Sequence, residues 1–510
     1  MGQRKRGVIL GYISLIITNG ASFIITPIML SVWDKSQYGV YQLCMTMAAY
    51  FLLMDLGINN SIVKYVSQYR TKNEKQNENH FVGVIITFYL ALGIVIALGG
   101  LVVLHYFPVI FKHSMTIKEV AESRSIFAIL LLNTYLSLFF NLFKGIVNAY
   151  ERFTTLKFND IAKTVMRFTT IFILLRLGLP PIKVVIADTI INAILGLSIG
   201  YIVIFSIKTR PTIRGITLSY FYSIINYSFF VFVNVLAIQL FWMVDKIILG
   251  ILTSTAIVAV YSIGTLINSY FQSFSSVFSS VLMPGVVKLV SQDADQDILL
   301  NEAIRIGRLK LIFLLWLAVG LVFFGKQFII LWAGPGYVMS YYVALIVILP
   351  QVIANSQDVA ANVMWAKEKH KTFSVVMLLV ALLNCLITVV LVKKIGMLGG
   401  AIGTTFAFTG GFIVFASIYY HRVLPMNMFK FYIGISKGIF IATLLAASVS
   451  YSISLWGCNS WSVFLVEGLL MSVCYFAIMF YVGFNPYEKA LMQSLFRDFV
   501  PGSSIRSNKI

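Results

Sequence analysis

The chain has 510 residues, of which 59% are hydrophobic and only 11% charged, with a mean hydropathy of +0.89. Soluble domains carry nearer a quarter of their residues as charges, so a water-soluble enzyme is excluded and a polytopic membrane protein is implied. The 39 Lys and Arg exceed the 19 Asp and Glu by 20, which in so apolar a chain reflects basic cytoplasmic loops and argues against nucleic-acid binding.

The first segment, MGQRKR followed by a long apolar run, has the basic flank of a signal peptide but too long a core, and reads as an uncleaved first span. Apolar windows of helix length then follow, so that the set runs 7–31, 39–66, 81–107, 124–149, 156–178, 182–207, 219–250, 256–287, 306–332, 337–365, 372–392, 397–420, 430–456 and 460–484. The expected fold is therefore all-α, with about 14 transmembrane helices of roughly 22 residues each and no room for a soluble catalytic domain. The windows at 39–66 and 156–178 contain charges. The tail NPYEKALMQSLFRDFV places Tyr487, Leu491, Leu495 and Phe499 at four-residue intervals and predicts a short amphipathic helix at the cytoplasmic interface. Cys44, Cys385, Cys458 and Cys474 form no CxxC pair, so they are expected to be structural, and neither a disulfide framework nor a metal site is expected.

Alternate loops carry 24 and 9 basic residues, which places both termini in the cytoplasm. A shift of 220 residues lays 36–52 on 256–272 with four identities, and a shift of 218 pairs Leu177–Gly178 with Ile395–Gly396. Two related six-helix lobes follow: an N-terminal lobe at 1–207, a cytoplasmic linker at 208–218 and a C-terminal lobe at 219–424. Two extra spans at 425–484 and the tail at 485–510 complete the chain.

Charge at membrane depth is costly, so polar intramembrane residues normally face protein or a wet cavity. Tyr261, Asn268, Gln272, Ser275 and Ser279 form one stripe on the eighth window, and the repeat maps it onto Tyr41, Ala48, Leu52, Asp55 and Asn59 of the second. Tyr227, Asn234 and Asp245 share a face of the seventh, and Asn19 lies near Ser14, Thr18 and Ser22 of the first. These faces read either as a cavity lining or as hydrogen bonding across helix interfaces. Asp55 is open to three readings: a proton or cation site, a counterion, or a buried carboxyl bonded to neighbouring helices. Asp245, with adjacent Lys246, reads equally as a solvated pair or a functional one. Lys163 and Arg167 either snorkel to the cytoplasmic surface or mark where a phosphate-bearing lipid headgroup enters. Glu467 reads as structural, and Asp188 and Asp358 are unassigned. There is no phosphate-binding GxxxxGK[ST] loop and no HExxH, so primary active transport is not indicated.

The motifs YGVYQL (38–43), FLLMDLGINNSIVKYVSQY (51–69), NAYERF (148–153), VDKIILGILTSTAIVAVYSIGTLI (244–267) and KKIGMLGGAIGTT (393–405) give the chain a family likeness. It resembles the Wzx-type O-antigen flippases, the polysaccharide-transport branch of the multidrug/oligosaccharidyl-lipid/polysaccharide exporters. The resemblance implies two lobes around a cavity lined by spans 1, 2, 7 and 8 in the bacterial inner membrane, and no catalysis. The implied substrate is an undecaprenyl-diphosphate-linked oligosaccharide, which alternating access carries between leaflets while its polyprenyl tail stays in lipid. Lys64, beside Asn60 after the second-span motif, is then the first candidate for the diphosphate. The neutral stripe on span 8 departs from a strongly cationic cavity. No cofactor is implied, H+ or Na+ coupling is left open, and a polysaccharide polymerase and chain-length machinery are conceivable partners. The alternatives are an ion-coupled drug antiporter of the same superfamily and, from another class, a membrane-embedded polymerase.

Overall fold

The computed structural model describes residues 3–212, 218–292, 295–424, 426–457 and 460–499, and among them the secondary structure is helical throughout. In chain order the α-helices are α1 (Gln3–Val32), α2 (Lys35–Phe51), α3 (Ile58–Thr71), α4 (Lys75–Ile110), α5 (Ile117–Ala149), α6 (Phe153–Arg176), α7 (Pro181–Tyr201), α8 (Leu218–Leu252), α9 (Thr255–Ser291) and α10 (Gln296–Trp332). They continue with α11 (Met339–Ser356), α12 (Asp358–Ala366), α13 (His370–Ile395), α14 (Met397–Phe408), α15 (Ala416–Val423), α16 (Met428–Ser436), α17 (Ile439–Ser454), α18 (Trp461–Ile478) and α19 (Pro486–Phe499).

Eleven stretches among the described residues are long and apolar enough to span a bilayer, and the pair α16 and α17, bent by 42°, makes a twelfth. Two further helices of sufficient length stand outside that set: α6, which carries Lys157, Asp160, Lys163 and Arg167, and the 37-residue α9. With both, the described helices are compatible with about fourteen spans. The protein is a multi-pass membrane protein.

Local chemistry sets the ends and breaks of these helices. Asp34 and Thr116 close capping boxes at the starts of α2 and α5, satisfying amides that the first helical turn leaves without partners. The second span is not one helix: α2 passes into a tight turn at Leu52–Asp55, and Leu56 and Gly57 (φ 51° and 74°) take the left-handed conformation before α3 begins. A constant 100° per residue therefore does not carry across this break. The tenth span divides at Gln357, and the thirteenth at Lys437–Gly438, where Gly438 has φ 78°.

The turns after α5 and α12 close identically. Glu151 (φ 57°) and Glu368 (φ 55°) adopt the left-handed conformation. Each donates its amide to the carbonyl three residues back, and the following residue donates to the carbonyl five back, at 2.8–3.2 Å. Their separation of 217 residues is close to the repeat offsets of 218 and 220.

The chain forms two compact units. The first comprises Met1–Leu266 with Ser374–Ala407, and the second comprises Ile267–Phe373 with Phe408–Ile510. In the first, the starts of three helices meet: Ser36 of α2 and Thr255 of α9 both donate to Glu119 Oε1 of α5, the latter at 2.6 Å. The approach is possible because residue 39 is glycine, since a Cβ there would sit 1.8 Å from the Thr255 carbonyl oxygen. Buried Glu78 of α4 organises the opposite kind of junction, a loop clamp. It accepts from Lys75 at 2.6 Å, Tyr150 at 2.8 Å and Thr209 at 3.0 Å, so residues 207–209 are held against α4 and the NAYERF turn. Burial pushes the Tyr150 phenol up, which keeps it a donor to Glu78.

In the second unit α19 packs by a buried ion pair, Arg308 with Glu488, at 2.6 and 3.0 Å. The same guanidinium donates to the carbonyls of Gly434, Lys437 and Gly483, which the bend between α16 and α17 and the end of the fourteenth span leave unpaired. The expected amphipathic tail is thus a helix with a specific anchor. Around both units, large apolar side chains stay exposed in rows, for instance Leu90, Ile94, Leu98 and Leu101 of α4 and Leu465, Leu469 and Val473 of α18, as lipid-facing surfaces require.

Candidate functional site

Three polar centres lie in the first unit. At the break after α2, Asp55 accepts from the buried Tyr89 hydroxyl at 2.5 Å and from the Asn59 amide at 3.5 Å. Asn59 Oδ1 is buried with no hydrogen-bond partner among the described residues, whereas Asn60 and Lys64 are exposed on α3. The Lys64 ammonium sits 5.4 Å above the Tyr65 ring. On α1 Asn19 is half-buried.

The second centre links α2, α5, α6 and α7. Lys163 donates to Asn192 at 2.8 Å, Asn192 donates to Asn133 at 2.7 Å, and Asn133 donates to Asp188 at 3.4 Å. Asp188 in turn lies 3.1 Å from Arg167, which reaches the Tyr41 hydroxyl at 3.5 Å. Lys163 and Arg167 therefore point into a shared network, and a lipid headgroup would reach them only by competing with Asn192 and Asp188.

The third centre surrounds Asp245 of α8, which is 2% exposed. Its carboxylate accepts from Tyr261 at 2.5 Å, Thr404 at 2.6 Å and Thr388 at 3.3 Å. The Asn384 carbonyl oxygen stands 3.3 and 3.4 Å from those same two threonines. Each hydroxyl has one proton, so Thr388 and Thr404 cannot serve both acceptors at once. The result is a buried nest of oxygens short of hydrogens, chemistry suited to a proton or a small hard cation. Sequence reasoning placed Asp245 and Tyr261 on separate faces of separate helices and had no signal for the threonines. Asn234 lies on α8, but its side chain is outside the described residues.

The rest of the α9 stripe belongs to the second unit. Gln272, Ser275 and Ser279 wall an open cleft of about 450 Å³ together with Asn355, Asp358 and Trp365. This volume is in the range of small-molecule sites. Gln272 donates to buried Gln351 and accepts from Asn355 at 3.1 Å. Asn268, one turn earlier, is buried, and its Oδ1 has no hydrogen-bond partner among the described residues. Behind the cleft, Lys310 of α10 is 1% exposed and pairs with Asp358, and both bond Ser279 at 2.8 Å. Lys310 is one of the 24 basic residues counted above in one set of loops, and Asp358 is unassigned from sequence. The signal for both was a charge inside an apolar window. Trp365, at the end of α12, has one ring face stacked on His370 at 4.3 Å and is 42% exposed.

A family signature described as "Polysaccharide biosynthesis protein" matches residues 5–290, more than half of the chain. The chain belongs to that polysaccharide biosynthesis family. No curated protein matches it. Among solved structures, this family member is similar to the lipid II flippase MurJ in an inward closed conformation, with a TM-score of 0.72 at 15% identity over 97% of this chain and 99% of that one. It is also similar to an inward-facing multidrug resistance MATE family transporter of the MOP superfamily (TM-score 0.60, 12% identity, 81% of this chain and 99% of that one). The Vibrio cholerae MATE transporter VcmN gives a TM-score of 0.56 at 15% identity, covering 83% and 97%. The polysaccharide biosynthesis family member thus has the MurJ and MATE fold, as the sequence resemblance led one to expect.

Proposed function

We propose that this family member is a flippase that moves an undecaprenyl-diphosphate-linked oligosaccharide from the cytoplasmic to the outer leaflet of the bacterial inner membrane by alternating access, and is not an enzyme. The observation that carries the reading is the open, hydroxyl- and amide-lined cleft on α9, within a fold shared with a lipid II flippase. Glycan hydroxyls and phosphates cannot cross hydrocarbon without such a lining. Two six-helix lobes, at 1–207 and 219–424, would rock about the 208–218 linker, with both termini in the cytoplasm. The test is the leaflet distribution of lipid-linked oligosaccharide: after deletion of the gene it should accumulate on the cytoplasmic side. An unchanged distribution would remove the proposal.

Coupling to H+ or Na+ is part of this reading, with Asp245 as the binding carboxylate. The oxygen nest formed by Asp245, Thr388, Thr404 and Asn384 supports it. The likeness to MATE transporters favours one second reading, an ion-coupled antiporter of small molecules. That reading expects cation-driven drug efflux and normal lipid-linked intermediates after deletion.

A further inference from the structure

The cleft in the second unit has a charge arrangement that bears on which part of a lipid-linked glycan it holds. Its one lining charge is Asp358, whose side chain is 37% exposed. The nearest compensating cation, Lys310, is 2% exposed at its side chain, lies behind the carboxylate and is held there by Asp358 and Ser279. Lys310 and Ser279 both donate to Asp358 Oδ2. A ligand entering the cleft therefore meets acceptors and amides in front and a cation it cannot touch. Lys367 and Lys369 are exposed beyond the end of α12 and are not among the lining residues.

The remaining wall is the chemistry of ring recognition. Trp365 presents a flat apolar face, fixed in orientation because His370 is stacked behind it. Gln272 donates to Gln351 and accepts from Asn355, so both amides are oriented before any ligand arrives. Prealigned polar groups beside an aromatic plate bind a pyranose through its hydroxyls and its C–H face, and little order is left to impose on binding.

We propose that this cleft is a sugar-ring site, selective for neutral or amino-bearing rings, with Trp365 as the stacking plate and Asp358 as the group that excludes carboxylates and phosphates. It rests on the flippase reading for its biological ligand, and it assigns the diphosphate to a place outside the cleft. Lys310 is a positioning residue: it holds the Asp358 carboxylate against Ser279 without meeting the sugar.

Saturation-transfer NMR on the full-length protein in lipid nanodiscs tests this with three probes: methyl glucoside, glucosamine and glucuronate. Methyl glucoside and glucosamine should bind, and Trp365→Ala should abolish both. Glucuronate should bind at least about tenfold more weakly, since its carboxylate would meet the Asp358 carboxylate with the neutralising Lys310 on the far side. Asp358→Asn strands the buried Lys310 ammonium, so the double variant Lys310→Met with Asp358→Asn is the decisive one. It should no longer distinguish glucosamine from glucuronate. Equal binding of glucuronate and glucosamine by the wild type, or binding indifferent to Trp365→Ala, overturns the assignment. The flippase reading stands or falls separately: normal export with no sugar bound sinks only the cleft, and sugar binding with unchanged lipid-linked intermediates on deletion sinks only the flippase.

Discussion

From sequence Asp55 is a candidate proton or cation site and Asp245 either a solvated or a functional partner of Lys246, and their surroundings favour Asp245 for cation coupling. Asp245 is enclosed by three hydroxyl donors and an amide oxygen, whereas Asp55 has one phenol and a distant amide. Asp245→Asn should therefore remove the dependence of transport on sodium or pH, measured in proteoliposomes, while Asp55→Asn preserves it. Retained dependence in Asp245→Asn would move the coupling site elsewhere. Asp358→Asn should lower stability by about 3–5 kcal/mol, because it strands the buried Lys310 ammonium, and adding Lys310→Met should recover most of that loss. Thermal unfolding in detergent measures both. At this scale the sequence was legible where polarity stood out against an apolar run, as for Asp245 and the α9 stripe. It was not legible for Thr388, Thr404 and Asn384, whose part is set by which helices touch, and small polar residues inside spans are common for packing alone.

Hydrophobic windows located nearly every helix, because twenty apolar residues in a row have few alternatives in a bilayer. Interruptions were harder. The turn at Leu56–Gly57 and the break at Gln357 lie within apolar runs whose mean hydropathy hides them, and the broken backbone groups are tolerated where protein surrounds them. NAYERF was recognisable as a motif, but its physical content is three-dimensional. Tyr150 bonds Glu78 and lies between Arg70 and Lys75, at 5.1 and 5.2 Å from its ring centre, while Glu151 turns the chain. The α19 helix was legible from its four-residue spacing, though not its anchor. Glu488→Ala should release it: amide hydrogen exchange across 486–499 should rise while that of α4 and α5 stays unchanged. Equal protection of α19 in the variant would show that its apolar face alone holds it.

For the whole molecule, the alternation of basic loops predicts the orientation in the bilayer. Reporter fusions at Lys208 and at Ile510 should both give a cytoplasmic signal, and an external signal at either would overturn the proposed lobes. Cysteine placed at Ser276, in the cleft wall, should react with a hydrophilic maleimide in membranes. One introduced at Leu314, fully buried in α10, should not.

The Arg308 anchor also has a consequence in time. Its carboxylate partner lies 180 residues further along the chain, so at ordinary rates of synthesis it leaves the ribosome about 9–36 s after Arg308. The carbonyls of Gly434, Lys437 and Gly483 arrive earlier, but none of them carries a charge. For that interval α10 sits in the bilayer with a guanidinium that has no counterion from the tail. Biogenesis of the second unit therefore ends with a neutralising step at its last helix. A chain terminated before Glu488 is expected to insert, then to be held by quality control and degraded rather than to accumulate as a shortened transporter, which pulse-chase labelling of the truncated protein would follow directly.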